Sequence, residues 1–320
     1  MARKLSKKKK EALYSALGLI LVLIIAAILY FSGILDPFLE EPDTPDTPDT
    51  PDTPDTPAVP NTPEGELKVH FIDVGQADCI LVMAGGEVML VDTGDTDNDY
   101  TDKIINYLKA LNISTIDYLV LTHPDSDHIG GAPEIINGFT VEKCYMPSFV
   151  KTTKIFENTL DALEDRSVDV LLPEVGSVFK VGEASCKILA PLEEYDDCND
   201  ASIVIRLDFG SRSVLLTGDA EKESEADIAS TYSSADLKVD VLKSGHHGSR
   251  TSSSSGLLDK ADPEYAVISC GEGNSYGHPH EETVERYESY GITTYRTDLL
   301  GTIVLTTDGT SLEFEFEKAS

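Results

Sequence analysis

The chain is poor in basic residues: 25 Lys and Arg stand against 57 Asp and Glu in 320 residues, a formal net charge of −32. Most of that acidic excess lies after residue 65. A body this anionic repels polyanions at long range. That counts against tight nucleic-acid binding through a basic face, although not against a nucleic acid or phosphodiester held at a metal centre. The same acidity keeps an exposed protein soluble. Cysteine is scarce as well. Cys79, Cys144, Cys186, Cys198 and Cys270 include no CxxC pair, which argues against a cysteine-rich zinc site. Odd in number and widely spaced, they do not make a disulfide framework. Cys79 and Cys270 lie in apolar, strand-like runs and read as small core residues. No internal repeat is visible after the N-terminal region.

Only one hydrophobic run is long. Ala12 to Leu35 is apolar and uncharged, enough to span a bilayer. The basic cluster from Arg3 to Lys10 argues for a cytoplasmic N-terminus and places the rest of the chain, beyond the apolar run, outside the cytoplasm. A cleaved signal peptide is the competing reading, but its apolar core is usually shorter, and no A-x-A site closes this one. No cysteine follows the run to carry a lipid. From Pro42 to Pro57 the chain repeats Pro-Asp-Thr, which favours an extended, self-repelling stalk. The expected organisation is therefore a basic cytoplasmic segment (1–11), a single-pass membrane anchor (12–35), an extracytoplasmic linker (36–65) and a globular domain (66–320). The membrane is the partner implied, and no obligate protein partner is evident.

Within the domain, Leu67–Val74 alternates and reads as a strand. Cys79–Met83 and Glu87–Val91 flank Gly85-Gly86 as a hairpin. Further strands are expected at Tyr118–Leu121, within Val178–Ala190 (two), at Ile203–Phe209, Ser213–Thr217, Val239–Leu242, Tyr265–Ser269, Ile303–Thr306 and Leu312–Phe316. Helical spacing marks Asp102–Leu111, Gly131–Asn137, Asn158–Glu164, Ser224–Ser230 and Glu281–Tyr290. Hairpins mixed with crossovers indicate a layered α/β fold with mixed sheets.

The segment His123-Pro124-Asp125-Ser126-Asp127-His128 packs four potential metal ligands into six residues, directly after an apolar strand. Open α/β sheets place their sites at such strand ends, and divalent cations take imidazole nitrogens and carboxylate oxygens. His123 and Asp125 can aim at one ion, Asp127 and His128 at a second, with Asp219 as a bridge. Two such ions activate water and stabilise both oxygens of a displacement, which suits phosphodiester or other ester hydrolysis. Asp219 could instead cap the helix that comes after it. Downstream lies Gly245-His246-His247-Gly248-Ser249. His278 reads either as a general acid or phosphate contact, or as part of an exposed loop; His280 reads more readily as exposed. Asp73, Gln76 and Asp78 either brace the ligands or shape the turn. Lys243 and Arg250 either contact an anionic substrate or are solvated. Thr251–Ser255 reads as a flexible active-site loop or a linker, and His70 as structural.

Together these motifs resemble the metallo-β-lactamase superfamily, whose signature is HxHxDH, preceded by Asp-x-Gly (here Asp92-Thr93-Gly94) and followed by distant Asp and His ligands. The resemblance implies an αββα sandwich, with Asp92 structural, Asp219 bridging and His247 a ligand, which leaves His246 beside the substrate. It is closer to the ComEC-type competence family in Phe71–Asp78, Thr122–Gly131, Leu215–Asp219, Gly245–Ser249, Tyr276–His280 and Tyr295–Asp298. It runs from Leu67 to Phe316 and covers that family's hydrolase domain only. The chain departs from HxHxDH in placing Asp125 where the second His stands. Cys198-Asn199-Asp200-Ala201-Ser202 occupies the region of the third, so Asn199 or Asp200 is expected to substitute.

The expectation is a metallohydrolase using two divalent ions, manganese or zinc with magnesium as a further option. An oxygen-rich first site favours the harder ions. The metal ligands are drawn from His123, Asp125, Asp127, His128, Asp219, His247, Asn199 and Asp200, and the catalytic residues are Asp127, His246 and His278. The expected reaction is attack of a metal-activated water on a phosphodiester, DNA being the first-choice substrate by resemblance. The alternatives are a cell-envelope ester hydrolase of the same fold (a phosphorylcholine or teichoic-acid esterase, or a lactonase) and a non-catalytic metal-binding surface module.

Overall fold

The computed structural model describes residues 65–318. These form two mixed sheets. The first has eight strands in the order β15-β14-β1-β2-β3-β4-β5-β6. They are β1 (Leu67–Phe71), β2 (Ile80–Ala84), β3 (Glu87–Val91), β4 (Thr115–Val120), β5 (Thr140–Tyr145), β6 (Asp169–Leu171), β14 (Ile303–Thr307) and β15 (Glu313–Phe316). The second has seven strands in the order β13-β12-β11-β10-β9-β8-β7. They are β7 (Val178–Val181), β8 (Ala184–Ala190), β9 (Val204–Phe209), β10 (Arg212–Leu216), β11 (Val241–Lys243), β12 (Tyr265–Ile268) and β13 (Thr293–Arg296).

The side-chain alternation of the strands builds the layers. In β2, Ile80, Val82 and Ala84 join a cluster with Ile188, Leu207, Val214 and Val267 between the two sheets. Leu81 and Met83 of the same strand point the other way, to a cluster with Ile104, Leu108, Ile135 and Phe156. Those residues belong to the helices Asn98–Ala110, Ala132–Gly138 and Lys154–Asp165. The second sheet repeats the plan: Leu215 and Leu242 pack against Ile228, Leu257 and Tyr287. These sit on the helices Lys222–Thr231, Ser255–Ala261 and Glu281–Ser289. Both faces of each central strand are thus buried, which is why β2 and β3 read as near-continuous apolar runs. The expected αββα sandwich is the observed one.

Some expected boundaries move. The first strand stops at Phe71 rather than Val74, because the Ile72 amide donates to Cys79 O (3.0 Å) and starts the turn. The helix expected at Asn158–Glu164 begins four residues earlier, where the Thr153 hydroxyl accepts from the Phe156 amide. β5, β6 and β13 were not foreseen. In β5 only Val141 and Cys144 are buried among charged neighbours; β6 has three residues; β13 is a partly exposed edge strand. All five cysteines are buried and free.

Strands β3 to β6 run parallel, as do β10 to β13. The C-terminal ends of β3, β4, β10, β11 and β12 carry the loops that bear a cluster of carboxylates and imidazoles. Among the described residues, no helix is long and apolar enough to cross a membrane. The apolar run 12–35 and the Pro-Asp-Thr segment lie outside the described residues.

Candidate metal centre

After β4 the chain turns through His123 and Pro124 into the one-turn helix Ser126–Ile129, with Asp125 at its N-cap position. Asp127 and His128 are thereby placed on a fixed turn rather than a free loop. Gly130 closes it: a Cβ there would lie 2.1 Å from the Asp95 carbonyl carbon. The turn's backbone therefore approaches the Gly94–Thr96 segment more closely than any other residue permits. From the second sheet, β10 delivers Asp219 and β11 delivers the 3₁₀ turn Gly245–Gly248. His246 and His247 both adopt left-handed backbone, with φ of 48° and 53°. Strain of this kind in non-glycine residues persists where surrounding structure holds it and clusters at functional sites. The turn sends the two imidazoles to different places. The His247 side chain is 1% exposed, and that of His246 is 24% exposed.

Asp127, His128, Asp219 and His247 each offer a ligand atom, all within 4.8 Å of one another. His128 Nε2 lies 3.3 Å from Asp219 Oδ2, and His247 Nε2 lies 3.3 Å from Asp127 Oδ2 and 3.6 Å from Asp219 Oδ2. Yet both nitrogens, with Asp219 Oδ1 and His123 Nε2, are buried and make no hydrogen bond. Leaving such groups unpaired costs roughly 1–3 kcal/mol each. A divalent cation would satisfy the His128, His247 and Asp219 atoms together, so the donor set fits a metal ion.

Behind these atoms a second layer fixes their orientation. Asp92, in left-handed backbone at the end of β3, lies 2.8 Å from His128 Nδ1 and accepts from the Thr122 amide (2.8 Å) and hydroxyl (2.7 Å). His247 Nδ1 lies 3.1 Å from Ser269 O. Each imidazole is thus tethered by Nδ1, which leaves Nε2 free for the centre, as at metal sites generally. Asp78 ion-pairs with Lys243 behind His247, with both side chains fully buried. Burial opposes ionisation of Asp219, but the His128 and His247 charges override it and hold its carboxyl well below the ordinary range. Burial likewise opposes charge on His128, while Asp219 and Asp92 hold it well above its ordinary value. The centre is therefore a buried anionic basin that stabilises positive charge.

The other expected ligands are placed differently. His123 is buried against His128 with ring centroids 4.0 Å apart, and its Nδ1 lies 3.3 Å from Ser202 Oγ. Burial, then the neighbouring His128, pushes it down to about 3. Asp125 does not join the four-residue group: its carboxylate pairs with Lys151 and accepts from the Cys198 thiol (3.1 Å). Asp200 serves as a cap, since its Oδ1 accepts from the Glu221 (3.0 Å) and Ser224 (2.9 Å) amides at the start of the helix Lys222–Thr231. Asn199 Nδ2 faces Glu221 Oε1 at 3.5 Å. Asp219 does not cap that helix; Glu221 holds the N-cap position.

Several supporting residues correct or extend the reading from sequence. Lys243 is neither solvated nor open to a substrate, being fully buried in its ion pair. Arg250 is exposed and pairs with Glu282. Gln76 does not contact the four-residue group but ties the neighbouring loop: its Nε2 lies 3.1 Å from His278 Nδ1, and its Oε1 accepts from the Gly271 amide (3.1 Å). His278 is buried, not looped out, with its ring 5.3 Å from that of His246. Burial and the positive His246 push it down to about 4. His70 is structural, its Nδ1 2.8 Å from the Tyr107 hydroxyl. Thr251–Ser255 is held firmly. Ser252 Oγ donates to Ala220 O (2.8 Å), the Ser254 amide donates to Glu225 (2.7 Å), and the Tyr287 hydroxyl reaches Ser253 Oγ (2.6 Å). Glu221 went unnoticed in the sequence although it stands only two residues after Asp219. Its Oε1 lies 2.8 Å from His246 Nδ1 and accepts from the Thr251 hydroxyl (2.8 Å).

Residues 72–272 match the family model of the metallo-beta-lactamase superfamily. The chain is 33% identical over 258 residues to ComE operon protein 3 of Bacillus subtilis and 34% identical over 245 residues to competence protein ComA of Neisseria gonorrhoeae. Each alignment covers 75% of this chain, and the chain spans about a third of the length of these relatives (33% and 32%). Recombination protein 2 of Haemophilus influenzae is 34% identical over 226 residues, covering 70% of this chain and 26% of the relative. Among solved structures, the metallo-beta-lactamase fold protein YhfI of Bacillus subtilis superposes with a TM-score of 0.51 at 13% identity, covering 75% of this chain and 100% of that one. The four-layer sandwich, the metal-competent cluster at one sheet edge and the family match agree: this chain belongs to the metallo-beta-lactamase superfamily, with homologues among the competence proteins.

Proposed function

We propose that the chain is a metal-dependent phosphodiesterase acting on DNA. The observation that carries this reading is the convergence of His128 Nε2, His247 Nε2 and Asp219 Oδ1, buried and without hydrogen bonds, beside the Asp127 carboxylate. We assign these four residues as the ligands of one divalent ion. His123 and Asp125 would hold a second. When bound, such ions supply an activated water and stabilise charge on the phosphoryl oxygens. Nitrogen and oxygen donors in this ratio suit manganese or zinc.

The chain's own residues do the rest. Asp92 and the Ser269 carbonyl hold His128 and His247 by Nδ1 and so keep the ligand geometry fixed before substrate arrives. Glu221 holds His246 at the rim, where its Nε2 faces the centre 3.7 Å from Asp219. Gln76 sets His278 beside it. In this reading His246 binds a non-bridging phosphoryl oxygen, and the neutral His278, its Nδ1 accepting from the Gln76 side-chain amide, offers its Nε2–H as a hydrogen-bond donor to a phosphoryl oxygen. The names of the competence and recombination relatives support a nucleic-acid substrate. The apolar run 12–35 with its basic flank supports a membrane-anchored enzyme presented outside the cytoplasm.

The test is turnover by the full chain loaded in turn with manganese, zinc or magnesium. Single-stranded DNA, duplex DNA and bis-p-nitrophenyl phosphate are offered beside an Asp127→Ala control. Metal-dependent cleavage that the control lacks is expected. No turnover of any phosphodiester with any metal would remove the reading and leave a cell-envelope ester hydrolase or a non-catalytic metal-binding module.

A further inference from the structure

The loop between β12 and the helix Glu281–Ser289 carries an exposed aromatic ring to the edge of the metal centre. Tyr276 is 67% exposed. Its ring lies nearly parallel to that of His278, with centroids 5.7 Å apart and planes 24° from each other. The His278 ring in turn lies 6.3 Å from that of His247, at 28°. Three rings of similar tilt thus step outward from the metal ligands to solvent. The loop that presents the outermost ring is tied at its base. The Asn274 side chain donates to Gly271 O (2.9 Å) and accepts from the His278 amide (3.0 Å), and Gln76 bridges Gly271 and His278. An aromatic platform held in place before binding saves the ordering cost that a mobile one would incur.

The charge distribution says what such a platform is for. A protein of net charge −32 does not gather a polyanion by long-range attraction. The cations around the centre are already engaged: Lys151 by Asp125, Lys243 by Asp78 and Arg250 by Glu282. A nucleic-acid strand bound here must take its affinity from the metal centre and from contacts that do not depend on charge. Base–aromatic stacking is such a contact and tolerates any base.

We propose that Tyr276 is a stacking platform for the nucleobase next to the scissile phosphate, making the site selective for single-stranded nucleic acid over ring-free phosphodiesters. This rests on the phosphodiesterase reading of the metal centre. The test pairs removal of the ring with removal of the base. The full chain and its Tyr276→Ala, Tyr276→Phe and Tyr276→Trp variants are assayed on a single-stranded oligodeoxynucleotide and on one with abasic sites. Tyr276→Ala is expected to raise KM on the normal strand roughly 5- to 150-fold with kcat little changed, and to leave the abasic strand unaffected. The Phe and Trp variants are expected to retain wild-type KM. A second readout needs no turnover: binding of a 2-aminopurine-substituted strand, with calcium present, should quench its fluorescence in the wild type and not in Tyr276→Ala. Equal KM increases on both strands, or quenching that survives Tyr276→Ala, would overturn the proposal while leaving the phosphodiesterase reading intact. Absence of all cleavage would remove that reading, and the quenching experiment would then decide the stacking proposal alone.

Discussion

The buried pair of Lys243 and Asp78 offers a direct test of how the centre is held. Lys243 ends β11 with no exposed surface, its ammonium on Asp78 and 4.0 Å from Asp219 Oδ1. Burial disfavours its charge, but Asp78 and then Asp219 keep its pKa above the ordinary lysine value. The pair is therefore ionic. Lys243→Met keeps much of the stem and removes the charge, leaving Asp78 and Asp219 buried without it. At about 4 Å a single charge pair is worth roughly 4 kcal/mol at an effective dielectric constant near 20, and orphaning one partner of a buried pair costs about 3–5 kcal/mol. Lys243→Met should lose about 4 kcal/mol of unfolding free energy. Asp78→Asn/Lys243→Met, which removes both charges, should lose clearly less than the sum of the single variants, by up to about 3 kcal/mol. Urea unfolding followed by circular dichroism, in excess chelator so that no metal contributes, measures all four proteins. A Lys243→Met loss under about 1 kcal/mol, or strict additivity, would refute the argument.

Two further outcomes separate scaffold from centre. Asp200→Ala removes the acceptor for the Glu221 and Ser224 amides and should cost about 1–2 kcal/mol, while metal content measured by atomic absorption stays at the wild-type level; loss of metal would return Asp200 to the ligand set. Burial raises the Glu225 carboxyl to about 7 from its ordinary 4.5, against the amides of Ser253 and Ser254 that lower it. Because the folded value is the higher one, the folded state binds the proton more tightly. The contribution is complete below about pH 4.5 and is lost as pH rises through about 7. The unfolding free energy of the wild type minus that of Glu225→Gln should therefore fall by about 2.5 kcal/mol between pH 5 and 8, and a flat difference would show that Glu225 titrates normally.

What could be read from the sequence was what is local in it. Asp127 and His128 are adjacent, so one turn of backbone fixes both, and the pattern shows in six residues. Asp219 and His247 stand out because each sits in a short motif, within a few residues of the ends of β10 and β11, that resembles the superfamily's downstream elements. Partners set by tertiary packing left no such trace. Asp125 stands in the ligand motif, yet its carboxylate pairs with Lys151, from the segment after β5, a partner that the local pattern does not announce. Asp200 looked like a ligand because nothing nearby announces that it caps a helix more than twenty residues on. Lys243 reads from sequence as a substrate contact or a solvated side chain, because a lysine at a strand end is usually exposed. Here the end of β11 lies between β10 and β12, at the bottom of the site, where only an ion pair makes the charge tolerable.

The burial of Lys243 has an electrostatic cause. Asp78, Asp92, Asp127 and Asp219 bring four carboxylates into or beside one small buried volume, and among the described residues Lys243 is the one lysine inside it. Anions at this density repel one another strongly unless cations stand between them. The fold supplies one fixed cation from the back of the site and leaves the front, where Asp127 is partly exposed, open to a mobile one. The fixed charge lets the domain hold its shape, and the residual negative charge would attract a cation to the open side. That division is consistent with imidazoles preorganised with their Nε2 atoms unpaired: the orientation of His128 and His247 is secured by Asp92 and the Ser269 carbonyl, while Lys243 compensates the carboxylates behind them.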